Sequence, residues 1–237
     1  MKQFFTTLLA LLCLSFSSVC ASPQIVRQTI NAQGLERTYY LYVPENARSS
    51  VPLIVLLHGS KRNGLSLVEK WQEVADREGV IVVGPDSLNS QGWSTPDDGP
   101  DFLHDLVENL KIRYPLDGRR VYLFGHSAGA AFALFMSCYE SEYFAVTAIH
   151  AGAVEQGNFG VMDLATHKIP ISIAVGTVDA FFPLPFVRAT RDAFNKRGFD
   201  VALTEIPNHP LPVKLVALTV PPPAAHPTLH PEKIRQI

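Results

Sequence analysis

Cysteine, basic charge and linker-like sequence are all scarce in this 237-residue chain. Of three cysteines, Cys13 and Cys20 fall within the first 21 residues, and only Cys138 lies beyond them. The body of the chain therefore forms no internal disulfide and relies on a packed core, for which it is long enough. Lys and Arg total 20 against 22 Asp and Glu, a formal net charge of −2 at pH 7. That balance excludes the basic footprint of a nucleic-acid binder and a polybasic surface for anionic lipid. With no internal repeat and no interdomain linker, residues 22–209 read as one domain.

The first 21 residues read as a leader and stand outside the fold. Lys2 gives a positive start, Phe4 to Phe16 is apolar but for two threonines and a serine, and Val19-Cys20-Ala21 offers small residues around a cut after Ala21. Export follows, to the periplasm or outside the cell, with no membrane span in the mature chain. Lipidation at Cys20 ranks second, because Val19 is bulky for the preceding position and no leucine sits three residues upstream.

What is present beyond the leader is an alternation of short β-branched runs and amphipathic stretches. It predicts an α/β fold, a mostly parallel sheet with helices on both faces. Strands are expected at Arg37–Pro44, Val51–Leu57, Val80–Val83, Val121–Phe124, Val146–Ile149, Ile171–Val175 and Val201–Ile206. A first helix begins at Ser66, which with Glu69 makes a capping box ahead of Leu67, Trp71, Val74 and Ala75, and Gly79 stops it. Further helices are expected at Asp101–Arg113, Ala128–Ser141 and Phe186–Arg197, with a polar loop after Gly84-Pro85-Asp86 to about Pro100. Cys138 lies on the apolar face of the helix after Ser127, where it reads as a buried small hydrophobe.

The most informative residues are Gly125-His126-Ser127-Ala128-Gly129, directly after Val121-Tyr122-Leu123-Phe124 and directly before a helix of small and apolar residues. A Gly-x-Ser-x-Gly between strand and helix forces the serine onto a sharp turn with its hydroxyl at the top of the sheet, and the glycines let strand and helix approach closely. Ser127 is the candidate nucleophile.

Two further segments join the elbow in a family resemblance. One is Leu57-His58-Gly59-Ser60 after a buried strand, and the other is Val175-Gly176-Thr177-Val178-Asp179 with Pro183; Arg113-Tyr114-Pro115-Leu116-Asp117 leads through Arg120-Val121-Tyr122 into the elbow. On these the chain resembles serine esterases of the α/β-hydrolase fold, in the group of poly(3-hydroxybutyrate) depolymerase-like, feruloyl-esterase-like and dienelactone-hydrolase-like proteins. The resemblance implies cleavage of carboxylic esters, of the short-chain, feruloyl or polyhydroxyalkanoate type. The substrate is expected to be a small or polymeric neutral ester. Thioesterase, peptidase and acyltransferase chemistry use the same constellation, and a catalytically silent binding protein on this fold is the other class of reading.

In this fold the acid and the histidine follow the serine in chain order. Asp179, at the carboxyl end of a strand in a Gly-x-x-Asp segment, is the expected acid. His209, in the loop after the last strand, is the expected base. His58 belongs to the loop after Val51–Leu57, His126 is the variable residue of the elbow, His150 ends a strand before the acid, and His104 lies on a helix. Transition-state charge is assigned to two backbone donors: the Ala128 N–H at a helix amino end and, by resemblance, the Ser60 N–H. Trp93, Phe181 and Phe182 are candidates for an acyl or aromatic pocket, with packing anchors as the alternative. The cycle requires neither a metal nor an organic cofactor.

After His209 the pattern changes. Seven prolines fall in the last 28 residues, which contain no glycine and no aspartate. They exclude the amphipathic helix that related chains place there, so that carboxyl-terminal helix is expected to be missing. Residues 210–237 read either as the product of a frameshift or as an extended, polyproline-like tail.

Overall fold

The computed structural model describes residues 24–208. Residues 1–23, with the expected leader, and His209 and the proline-rich segment 210–237 lie outside the described residues. Within them are eight strands: β1 Val26–Ala32, β2 Leu35–Tyr42, β3 Val51–Leu57, β4 Ile81–Pro85, β5 Leu116–His126, β6 Val146–His150, β7 Ile171–Gly176 and β8 Val201–Ile206. Helices α1 Leu65–Glu78, α2 Pro100–Arg113, α3 Ala128–Tyr139 and α4 Leu184–Lys196 connect them, with a 3-10 helix at Gln156–Leu164.

One sheet contains all eight strands in the order β1-β2-β4-β3-β5-β6-β7-β8. β1 and β2 pair antiparallel, as do β2 and β4, and the remaining pairs are parallel. The central strands are apolar on both sides because both faces are covered. Leu53, Val55 and Leu57 of β3 pack with Phe102, Leu106 and Leu110 of α2 and the apolar residues of α3, while Ile54 and Leu56 face Leu67, Val68, Trp71 and Ala75 of α1. Cys138 is buried in the first of these clusters, as its place on the apolar face of α3 requires.

The order reverses around β3, which has β4 on one side and β5 on the other. A crevice opens outside the carboxyl ends of strands at such a reversal. Here those ends deliver His58-Gly59-Ser60 from β3 and Ser127 from β5.

Three local features differ from the sequence reading. The capping box is not formed: α1 starts earlier, at Leu65, with Gly64 as its N-cap. The Ser66 hydroxyl donates instead to Asn63 O at 2.7 Å, and Asp86 Oδ1 accepts from Gly64 N at 2.7 Å. A side chain at Gly64 is excluded, since its β-carbon would lie 1.9 Å from Gly84 O. β1 was not anticipated; it is an edge strand whose outer residues are mostly exposed, so its alternation carries little apolar signal. β5 also extends back to Leu116, through the polar Asp117-Gly118-Arg119-Arg120, held by pairing of Leu116 with Val51.

Candidate active site

Ser127 links β5 to α3 with φ 55° and ψ −117°, a left-handed conformation costly to any residue with a β-carbon. The two glycines of the motif make the turn possible. A β-carbon at Gly125 would lie 2.2 Å from Gly129 O, and one at Gly129 would lie 2.0 Å from Leu57 O. The turn is also tied to its neighbour, since Ser127 N donates to His150 O at 3.1 Å. Ser127 itself is half-buried, on the wall of a cleft of about 280 Å³ that Gly59, Ser60, Arg62, Ser66, Leu67, Glu69, Lys70 and His126 complete. Ala128 opens α3, where first-turn N–H groups have no acceptor within their own helix.

The loop after β3 lies against the serine: a β-carbon on Gly59 would be 3.2 Å from Ser127 Cβ. Its orientation is set by His58, which is 1% exposed. Ser87 N donates to His58 Nε2 at 3.1 Å, so the imidazole carries its proton on Nδ1 and donates it to Gly59 O at 2.9 Å. Burial pushes the His58 pKa below its usual value, which keeps this neutral tautomer. Arg62 N also donates to Gly59 O, at 3.2 Å. With the carbonyl so engaged, the N–H of Ser60, trans to it across the same planar peptide, points the other way.

Trp93 supports the loop from below. Its indole N–H donates to His58 O at 2.8 Å, and its ring stacks on Phe132 of α3 at 5.3 Å. It is not among the residues lining the cleft beside Ser127. Phe181 is 80% exposed and Phe182 is half-buried against the core. Both act through the backbone, their N–H groups donating to Asp179 Oδ1 at 2.8 and 2.9 Å.

Asp179 follows β7 and is 5% exposed. Its Oδ2 is buried and has no hydrogen-bond partner among the described residues. A buried carboxylate oxygen without a donor is costly. The end of β8 reaches the same place: Thr177 N donates to Ile206 O at 2.9 Å, and Asn208 N donates to Thr177 Oγ1 at 2.9 Å. His209 is the next residue in the chain and lies outside the described residues.

One pair of side chains escaped the sequence reading. His126 and His150 end β5 and β6 at matching register, and their Nδ1 atoms lie 3.0 Å apart with the rings 14° from coplanar and their centres 5.1 Å apart. At that separation one Nδ1 can donate and the other accept, with the roles set by the tautomers. Burial, and after it the positive charge of Lys70, pushes the His126 pKa down. The signal existed only as two strand-final histidines; their contact required knowing that β5 and β6 are neighbours.

Solved structures that superpose on this one include esterases and other hydrolases. A ferulic acid esterase from the anaerobic fungus Anaeromyces mucronatus superposes with a TM-score of 0.66 at 17% identity, over 81% of this chain and 86% of that one. The fluorophosphonate-binding serine hydrolase FphF of Staphylococcus aureus gives 0.68 at 11% identity, over 79% and 91%. At these identities the likeness is one of fold, that of the α/β-hydrolases. Among sequence relatives, poly(3-hydroxyalkanoate) depolymerase C of Paucimonas lemoignei is 28% identical over 155 residues, 60% of this chain and 37% of its own. The bifunctional acetylxylan esterase/xylanase XynS20E of Neocallimastix patriciarum is 33% identical over 106 residues, 42% of this chain and 16% of its own. A proline iminopeptidase of Lactobacillus helveticus is 32% identical over 118 residues, 48% and 39%. The chain thus spans less than half the length of these relatives. Residues 37–180, which include the strained serine turn, the loop against it and Asp179, match the family described as esterase PHB depolymerase, and the chain belongs to that family.

Proposed function

We propose that this protein is an exported serine hydrolase that cleaves carboxylic esters through an acyl-serine intermediate. The carrying observation is Ser127, held in a left-handed turn at the mouth of a cleft, with the first turn of α3 on one side and the Gly59–Ser60 peptide on the other. Ser127 Oγ attacks the ester carbonyl, and His209 takes its proton and returns it to the leaving alcohol. Asp179 holds the imidazole tautomer through Oδ2, the oxygen that its own loop leaves undonated. The N–H groups of Ala128 and Ser60 receive the developing oxyanion, and water then releases the acid from Ser127. Esters of the short-chain, feruloyl and polyhydroxyalkanoate types are the substrates to try, on the strength of the relatives. Residues 1–21 serve as the export leader.

The test is hydrolysis of 4-nitrophenyl acetate and butyrate by the purified protein and by Ser127→Ala. Loss of the nucleophile is expected to lower kcat by about 10⁴-fold or more, and to abolish covalent labelling by a fluorophosphonate probe. Turnover that survives the substitution sinks the mechanism. Absent turnover in a folded wild-type protein that still binds ester ligands supports a silent binding protein instead.

A further inference from the structure

We propose that the cleft beside Ser127 selects esters carrying a carboxylate, which Arg62 and Lys70 bind while the ester carbonyl sits at Ser127. The proposal rests on the serine-hydrolase reading and specifies its substrate class. Three charged side chains line the cleft, Arg62, Lys70 and Glu69, in a chain whose formal net charge is −2.

Both cations are placed by elements already fixed for other reasons. Arg62 closes the turn whose carbonyl at Gly59 accepts its backbone N–H at 3.2 Å, so the turn that orients the Ser60 amide also sets the base of the guanidinium at the cleft. Lys70 lies one helical turn after Ser66 on α1, and the opposite face of α1 is buried through Val68, Trp71 and Ala75. Among the described residues neither cation has a carboxylate within 4.0 Å or a side-chain hydrogen bond, whereas Arg37, Arg120, Arg188 and Arg197 each hold an aspartate or glutamate. Glu69 lines the cleft beside Lys70 but forms no ion pair with it among the described residues, unlike the successive pair Arg77–Glu78 further along α1. The two charges also reach the serine's neighbour: after burial, Lys70 and, more weakly, Arg62 help to keep His126 from protonating.

A guanidinium fork and an ammonium together suit a carboxylate. With Glu69 beside them, the lining carries one net positive charge, which a carboxylate neutralises and a phosphate dianion overshoots. The substrates that fit are half-esters of dicarboxylic acids and short hydroxy-acid oligomers ending in a free acid. Their cleavage releases an alcohol or a hydroxy acid together with a carboxylate.

The experiment compares kcat/KM for two esters of matched length, the 4-nitrophenyl half-ester of glutaric acid and neutral 4-nitrophenyl pentanoate, in wild type, in Arg62→Gln/Lys70→Gln and in Glu69→Gln. The anionic-to-neutral ratio is expected to fall by about 10-fold in the double variant, the lower end of what a charged cleft confers, and to rise in Glu69→Gln. It is also expected to fall as salt is raised from 20 to 500 mM, as exposed charges require. A wild-type ratio equal to that of the double variant, or insensitive to salt, overturns the carboxylate proposal and leaves the esterase reading standing. A folded protein that cleaves neither ester overturns both.

Discussion

His58 meets no reacting atom in the proposed cycle, yet it decides where one of the oxyanion donors points. Its proton is fixed on Nδ1 because Nε2 is taken by Ser87 N, and that proton holds Gly59 O. If the Gly59–Ser60 peptide is set this way, His58→Ala removes the constraint on the Ser60 N–H. The expected cost is ~10²-fold in kcat, that of losing one oxyanion-hole donor, with little change in KM. His58→Asn places an amide N–H near the Nδ1 position and is expected to recover most of the loss; equal defects in both variants would point to a packing role alone. Steady-state kinetics on 4-nitrophenyl butyrate give the answer. The sequence led to His58 as a member of the loop after β3, and to Ser127 and Asp179 by motif. Its partner Ser87, 29 residues away, was not legible, nor was the contact of His126 with His150, because both depend on which strands lie side by side.

The segment from Asp86 to Asp98, between β4 and α2, reads in the sequence only as a polar loop. In the fold it is a brace. Arg37 of β2 is 3% exposed and pairs with Asp98, which is fully buried. The guanidinium also donates to Asp97 O at 2.7 Å and Asp86 O at 3.1 Å, and lies 3.6 Å over the Phe102 ring. Asp98 in turn accepts from Leu88 N at 2.8 Å and Ser94 N at 3.0 Å. This knot fixes the stretch that presents Ser87 to His58 and Trp93 to the carbonyl of His58. A polar run carries no periodicity from which such bonds can be read, and the same is true of the Asn63 and Asp86 contacts that start α1 in place of the expected capping box. Asp98→Asn leaves a buried guanidinium without its counter-charge, and urea unfolding is expected to show a loss of about 3–5 kcal/mol. If the knot positions the loop as argued, kcat falls as well under conditions where the variant remains folded. A loss below 1 kcal/mol would mean that the charge has found water or another partner.

The sheet was legible because its central strands are buried on both faces and read as nearly continuous apolar runs, as at Val51–Leu57 and at Ile171–Val175, where Ser172 is the one polar residue. Net charge does not say where on the surface the charges lie. A total of −2 averages over a surface on which half of the described lysines and arginines hold a carboxylate and those lining the cleft do not. The same distribution sets how the protein responds to acid. His58 and His126 are both held neutral, their pKa values pushed below 6.5 first by burial. The unfolded chain binds a proton at each of these sites near pH 6.5, whereas the folded chain does so only at lower pH. Their neutral burial therefore costs nothing above that pH, and stability is lost as pH falls from 6.5 toward the folded values. Asp163 and Glu205 act in a lower window. Hydrogen bonds from Arg197 and Arg188 hold them below 3.8 and 4.5, so the stability they add is present above those values and is lost as pH falls through the depressed ones. The expected profile is flat between pH 7 and 8 and declines below 6.5, with a slope of up to about 1.4 kcal/mol per pH unit for each histidine kept neutral. A second decline begins below pH 4.5. Urea denaturation between pH 8 and 5 tests the first limb, with His58→Asn expected to flatten it. A wild-type profile flat to pH 5 would mean that both imidazoles accept protons in the folded protein as readily as in the unfolded chain.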